Sequence, residues 1–236
     1  MTWTVHNTDA HALMRTLSDA SVDALITDPP YGMSYQSGWS KDGPRFDVLQ
    51  GDDAPPLEFL SESVRVLRRG GCAFVFCEWR NAEKFRVAME ACGLTIRSQV
   101  VWDRVAHGMG DLDASFAPRH DLAWFATNGS GFEFRKVRPS TVLRFDRVPA
   151  GKLQHPTEKP IALMRHLVEV LTVPDELVVD PFAGSGTTGV ACVQLGRRAI
   201  VGDIDENYAS LARARMQAAE NCTDHRNTRQ GGLFGG

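Results

Sequence analysis

The sequence predicts an α/β fold in which a mostly parallel sheet carries helices on both faces. Three observations lead there. Short apolar runs of strand length alternate with segments of helical periodicity, the pattern of a parallel sheet with crossover helices. One such run, Leu177-Val178-Val179-Asp180, leads into Gly184-Ser185-Gly186-Thr187-Thr188-Gly189 and a following helix, the strand–turn–helix unit of Rossmann-like folds. Only 33 residues follow Asp203, at the end of the next strand, too few to complete such a sheet. The remaining strands are therefore expected from earlier sequence, in a circularly permuted order.

Taken in order, the expected strands are 2–7, 24–27, 72–77, 98–102, 122–126, 177–179 and 199–202, each short, apolar and bounded by polar or turn-forming residues. The expected helices are 57–68, 81–91, 161–171, 188–195 and 206–218. In the first, Leu57, Leu60, Val64 and Leu67 share a face; in the third, Ile161, Met164, Val168 and Leu171 do. Pro160 stands where a first helical turn tolerates it. These stripes are core packing. Two stretches resist a regular assignment. Residues 32–56 are rich in Gly, Ser, Asp and Pro and read as a long mobile loop. Residues 129–152 read as an irregular insertion within a single domain spanning 1–220. The tail 221–236 is expected to be disordered.

With 236 residues there is enough chain for one domain with a sizeable core. The formal net charge of −3 advertises no nucleic-acid binding overall, although a local patch can supply phosphate contacts. The five cysteines, Cys72, Cys77, Cys92, Cys192 and Cys222, include no Cys-x-x-Cys pair, so neither a disulfide framework nor a metal site is expected. No apolar run reaches transmembrane length and no signal-peptide pattern opens the chain, so a cytoplasmic protein is expected.

The glycine-rich turn needs glycines because the chain bends sharply and its backbone must approach a ligand closely. Asp203 lies 19 residues beyond Gly184, where an acid can accept hydrogen bonds from ribose hydroxyls. The turn alone suits a nicotinamide dehydrogenase as well as a methyltransferase. Against the dehydrogenase stand the short remainder after Asp203 and the acid Asp180 ahead of the glycines. An acid there would repel a pyrophosphate and suits S-adenosylmethionine, which carries an ammonium and a sulfonium.

Near the other end, Asp28-Pro29-Pro30-Tyr31 closes the strand 24–27. Two prolines stiffen the backbone and remove two N–H donors, leaving a carboxylate, exposed carbonyls and an aromatic face. An exocyclic amine offers two N–H donors on a planar ring. Asp28 and the Pro29 carbonyl can accept those hydrogens while Tyr31 stacks on the ring, which makes the nitrogen lone pair available for attack. The position fits, since α/β ligands bind at the carboxyl ends of strands.

These motifs, in this order, closely resemble the beta class of DNA amino-methyltransferases over nearly the whole chain. The resemblance implies a Rossmann-like, circularly permuted methyltransferase fold and methyl transfer from S-adenosylmethionine to adenine N6 or cytosine N4 by base flipping. Asp28 to Tyr31 match the catalytic motif. His155-Pro156-Thr157-Glu158-Lys159-Pro160 match the segment before the helix bordering the methionine end of the cofactor. Asp180, Phe182, Gly184, Ser185, Gly186 and Thr187 match the cofactor loop, and Asp203 the ribose-binding acid. Asp9 lies in a short segment resembling the one beside the cofactor adenine, and Thr157 and Lys159 are carried over as cofactor residues. Asp at the first catalytic position is more typical of adenine enzymes and Ser of cytosine enzymes, so the resemblance implies adenine, with N4-cytosine methylation the alternative and a catalytically silent subunit of a methyltransferase complex a further one. Double-stranded DNA is the implied partner, in a restriction-modification setting among others, with a homodimer as the implied assembly. Family members often carry a longer recognition region. Here the room for one is 129–152, within which the stretch 135–152 sets Arg135, Lys136, Arg138, Arg144, Arg147 and Lys152 against one acid, Asp146. Those residues are expected either to contact phosphates or to form a solvated hairpin.

Overall fold

The computed structural model describes residues 2–31, 39–40, 43–44, 55–108 and 113–231. In chain order the elements are β1 (Trp3–Asn7), α1 (Ala10–Thr16), β2 (Val22–Thr27), β3 (Trp39–Ser40), β4 (Gly43–Pro44), α2 (Leu60–Val66), β5 (Leu67–Cys77), α3 (Ala82–Ala91), β6 (Thr95–Asp103), β7 (His120–Thr127), β8 (Val142–Arg144), a 3-10 turn (Ala150–Lys152), α4 (Ile161–Leu171), β9 (Leu177–Asp180), α5 (Thr187–Gln194), β10 (Arg198–Asp203) and α6 (Glu206–Gly231). Eight strands form one sheet in the order β1-β10-β9-β2-β5-β7-β6-β8, and β3 pairs with β4 in a separate ribbon. Only β7 runs against its neighbours in the large sheet. Most of the loop expected at 32–56 lies outside the described residues.

Period-two alternation along strands that are apolar on both sides builds the core. In β5, Cys72, Phe74 and Phe76 enter one apolar cluster with α4 and α5, while Ala73, Val75 and Cys77 enter a second with α2 and α3. In β2, Ala24 and Ile26 go to the first and Leu25 to the second. Both faces are thus covered, as the continuous apolar runs require.

The order of the strands creates the crevice. β9 and β2 are adjacent parallel strands, with Ala24 opposite Val178 and Leu25 opposite Val179. From β9 the chain moves to β10 on one side; from β2 it moves to β5 on the other. The loops leaving these two carboxyl ends diverge, which is the switch point where open α/β sheets bind ligands.

Four expectations need correction. The helix expected at 57–68 is shorter: α2 ends at Val66, and Leu67 is already extended and pairs with Val22. Strand pairing and the burial of Leu67 override the helical periodicity, and Arg65 anchors the turn through the carbonyls of Leu17 and Met14. The insertion 129–152 is not wholly irregular. Within it β8 extends the main sheet beside β6, with Leu143 buried and the Trp102 indole N–H donating to the Phe145 carbonyl at 2.8 Å. The helix expected at 206–218 is longer: α6 runs through 231, with no Gly or Pro interrupting 206–230, and 232–236 of the tail expected to be disordered lie outside the described residues. Helix α1 was missed; it is started by Asp9, whose carboxylate accepts the Ala12 N–H at 2.9 Å.

Gly186 is where the glycine-rich turn meets α6. Its φ is +80°, and a Cβ there would lie 2.7 Å from the Ala212 Cα. Strain and backbone overlap act together, so Gly186→Ala is expected to cost ~3 kcal/mol or more in urea unfolding. A loss below ~1 kcal/mol would show that α5 and α6 part there freely.

Candidate active site

Asp180 ends β9 with its carboxylate turned inward. One oxygen accepts the Thr27 hydroxyl at 2.7 Å and the Phe182 N–H at 3.1 Å; the other accepts the Thr188 hydroxyl at 2.5 Å. This ties β9 to β2 and to the first turn of α5. Burial pushes the acid up to about 6, against the lowering effect of those donors. Asp180 lines the crevice, but its hydrogen-bonding capacity is largely spent within the protein.

Beyond it the turn is shaped around Gly184, whose N–H donates to the Asp203 carboxylate at 2.8 Å. A Cβ at Gly184, at φ +49°, would press on the His155 ring at 3.1 Å. Asp203 also accepts the Asp205 N–H at 2.9 Å on its other oxygen. Each oxygen takes one donor, leaving acceptor capacity for a diol. Asp9 stands just past the end of β1, next to β10, where the Thr8 N–H and the Asn7 side chain bond the Asp203 carbonyl at 3.1 Å each. Its carboxylate also caps α1. Phe182 packs edge-on against buried Phe59, 5.0 Å between centroids. Ser185 and Thr187 share a hydroxyl contact at 3.3 Å.

The segment before α4 forms the opposite wall. His155 meets Tyr208 edge-on at 4.4 Å, and its Nδ1 accepts the Thr157 N–H at 3.3 Å. Burial, aided by nearby Lys159, holds the imidazole down to about 4, so it is neutral near pH 7. Lys159 reaches toward the carboxyl end of β2. Its ammonium bonds one oxygen of Asp28 and lies 3.3 Å from the Tyr31 hydroxyl. The Tyr31 hydroxyl donates to the other Asp28 oxygen at 2.5 Å, and the Asn81 side chain donates to the Tyr31 carbonyl at 2.5 Å. Asp28, Tyr31 and Lys159 therefore form one cluster across β2 and α4. Burial raises both Asp28 and Tyr31, and Lys159 is the largest influence opposing this at Asp28.

The catalytic and cofactor candidates thus meet around one crevice, lined among others by Asp28, His155, Lys159, Phe182, Gly184 and Thr188. The basic candidates do not stay together. Arg135 pairs with Glu176 at 3.3 Å, just before β9, and Lys136 with Glu169 at 3.0 Å on α4. Both partners lie toward the amino ends of the strands, away from Asp28, and Arg138 precedes β8 on the same side. Arg144 ends β8 opposite Asp103, at the carboxyl end, and it is exposed, as are Arg147 and Lys152 beyond it. Sequence reasoning missed Arg215, which donates to Glu158 and to the Ser185 carbonyl, both at 2.8 Å. On a helix of alternating polar and small residues nothing marked it out. Asn81, also missed, sits at the start of a helix where capping is the ordinary expectation.

A crevice at the switch point, with a glycine-rich turn, an acid one strand further on and Asp-Pro-Pro-Tyr across the seam, is the architecture of a Rossmann-like cofactor-binding fold. A family model described as DNA methylase (N6_N4_Mtase) matches residues 22–214, and the chain belongs to that family. It is 30% identical over 216 residues to YubD of Escherichia coli (strain K12), a protein named as a methylase, covering 90% of this chain and 89% of that one. The type II methyltransferase M.HpaI of Haemophilus parainfluenzae is 28% identical, with 89% of this chain and 73% of the relative covered. The structure of an M1.HpyAVI–SAM complex superposes with a TM-score of 0.70 at 25% identity, covering 90% of this chain and 99% of that one. The cytosine-N4-specific PvuII DNA methyltransferase shares the fold, with a TM-score of 0.72 at 15% identity over 93% of this chain and 91% of that one.

Asp180 makes the site pH-sensitive in a defined direction. An acid raised from 3.8 to about 6 on folding favours the folded state fully only below its unfolded value, and that contribution is lost as pH rises through about 6. The difference is worth ~3 kcal/mol. Urea unfolding across this range should show that fall in the wild type and its absence in Asp180→Asn. Parallel stability curves would mean that Asp180 ionises without cost.

Proposed function

We propose that the chain is a circularly permuted, beta-class enzyme that methylates the exocyclic N6 amine of adenine in double-stranded DNA. The observation that carries this reading is the Asp28–Tyr31 cluster at the end of β2, directly across the β2–β9 seam from the glycine-rich turn. The cofactor is S-adenosylmethionine, which supplies an electrophilic methyl group. The crevice suits it: Asp203 keeps acceptor capacity for ribose hydroxyls, and Gly184 leaves the turn free of a side chain. Asp9 and Phe182 would border the adenine end, and Thr157, Ser185 and Thr187 the methionine end.

The target base must leave the duplex, at a cost of a few kcal/mol. Stacking on Tyr31 offsets this, since base–aromatic stacking is worth about 1–3 kcal/mol. As Tyr31 turns to stack, its hydroxyl leaves Asp28, and the adenine amine donates to the freed oxygen, so one hydrogen bond replaces another. The Pro29 carbonyl accepts the second amine hydrogen. Both bonds draw the nitrogen lone pair out of conjugation with the ring, and Asp28 is then the nearest acceptor for the proton the nitrogen sheds. The aspartate at position 28, typical of adenine enzymes, favours N6. The N4-cytosine reading keeps the same fold and roles, and the fold shared with PvuII supports retaining it as the alternative.

Arg144, Arg147 and Lys152 are the residues proposed to meet the DNA backbone, since they are exposed at the carboxyl end of β8 and beyond.

Labelled S-adenosylmethionine and genomic DNA should give N6-methyladenine on nucleoside analysis. Label in N4-methylcytosine would transfer the reading to the alternative. In Asp28→Ala the label should fall by a hundredfold or more while calorimetry still finds the cofactor bound; lost binding would make Asp28 structural. Reversing the charge of Arg144 and Arg147 should reduce the slope of log affinity against log salt by ~2, read by fluorescence anisotropy. An unaltered slope would place the phosphates elsewhere.

A further inference from the structure

We propose that Lys159 is a positioning residue for the transfer step, orienting the Asp28 carboxylate and supplying its counter-charge so that the oxygen bonded to Tyr31 is the one the target amine takes. This rests on the reading of Asp28 as the amine acceptor and departs from the cofactor role that the resemblance assigns to Lys159.

The two oxygens of Asp28 are held differently. One is bonded by the Lys159 ammonium and the other by the Tyr31 hydroxyl at 2.5 Å. A phenol on a turning side chain can be exchanged for an incoming amine. Lys159 has no comparable freedom. It is 6% exposed, it is followed by Pro160 at the start of α4, and its ammonium lies over the Phe76 ring at 4.9 Å, with Tyr31 at 5.7 Å and Trp102 at 5.8 Å. Those faces favour a cation in a water-poor setting and give it no second anion to prefer.

The surrounding charges make the cation necessary. The titratable groups acting on or beside Asp28 are Tyr31 on its own loop, Asp121 of β7, Asp180 of β9, Cys77 of β5 and Lys159 itself, with His155 neutral beside Lys159. Among these Lys159 is the cation. Asp121 adds like charge and is itself 3.5 Å from Arg104. Removing the ammonium leaves a buried carboxylate facing two further acids, a setting in which a carboxyl group takes up a proton. A protonated Asp28 would no longer accept from the amine in the same way. Lys159 thus acts on the reaction through Asp28.

The test compares wild type, Lys159→Met and Lys159→Arg. Calorimetry gives S-adenosylmethionine affinity, single-turnover methylation at saturating cofactor and DNA gives the rate against pH, and 13C NMR gives the titration of the Asp28 carboxyl, assigned with Asp28→Asn. Lys159→Met should lower the rate near pH 7 on the order of a hundredfold. Its acid limb and its Asp28 titration should both move to higher pH, with cofactor affinity changed less than about tenfold and Lys159→Arg restoring much of the rate. A large loss of cofactor affinity with an unchanged saturated rate would make Lys159 a cofactor ligand. A slow enzyme whose acid limb and Asp28 titration stay in place would make it merely structural; either result overturns the proposal. If Lys159→Met does not fold, the Asp28 titration in Lys159→Arg against wild type still decides, since an unmoved curve with a collapsed rate counts against it. If wild type labels no DNA, the functional reading fails, while the NMR titration, which needs no substrate, still judges Lys159.

Discussion

Asp180 sits where three elements converge, and the rest of the crevice takes its geometry from that acid. Its carboxylate receives a hydroxyl from β2, a hydroxyl from α5 and an N–H from the turn between β9 and α5. Neutral donors surround it, with no cation opposed to it in those bonds, so burial keeps it a weak acid. The seam between the strand that carries Asp28 and the strand that feeds the glycine-rich turn is thus fastened by side chains as well as by the ladder. A shift of either strand would separate the amine-binding side from the cofactor side.

From that seam the site divides into two environments. On one side, Gly184, Asp203 and the end of β1 offer backbone, small side chains and acceptors, matching a ligand rich in hydroxyls and positive charge. On the other, Asp28, Tyr31 and Lys159 form a charge-balanced cluster under aromatic rings. Arg215 joins the walls by holding Glu158 of one and the Ser185 carbonyl of the other. The neutral His155, set between Gly184 and Tyr208, fills the junction without adding a charge.

Much of this was legible in the sequence. Apolar runs buried on both faces announced the central strands, and glycines beside Asp180 and Asp203 announced the turn, because few other residues satisfy those backbone constraints. What was not legible depended on partners distant in the chain. Leu57, Leu60, Val64 and Leu67 obey helical spacing, yet Leu67 joins a strand because Val22 is there to pair with it. The six basic residues of 135–152 read as one patch, and the structure divides them because Glu169 and Glu176 hold Arg135 and Lys136 at the other end of the sheet. Lys159 stood in a cofactor motif by resemblance; only the fold brings it to Asp28. Asp9 shows the opposite case, a residue whose capping role a purely local rule would have found.

The strand order has a consequence for how the chain is made. β1 and β2 leave the ribosome before β9 and β10, and yet they are not neighbours: β10 and β9 lie between them. At the usual spacing of strands, that reserves a gap of about 14 Å. The sheet is therefore completed from its middle, and the Thr27–Asp180 bond closes across 153 residues of sequence. Until that insertion, β2 exposes an unpaired apolar edge on the side that β9 will occupy, so the nascent chain carries an aggregation hazard at the strand that later presents Asp28.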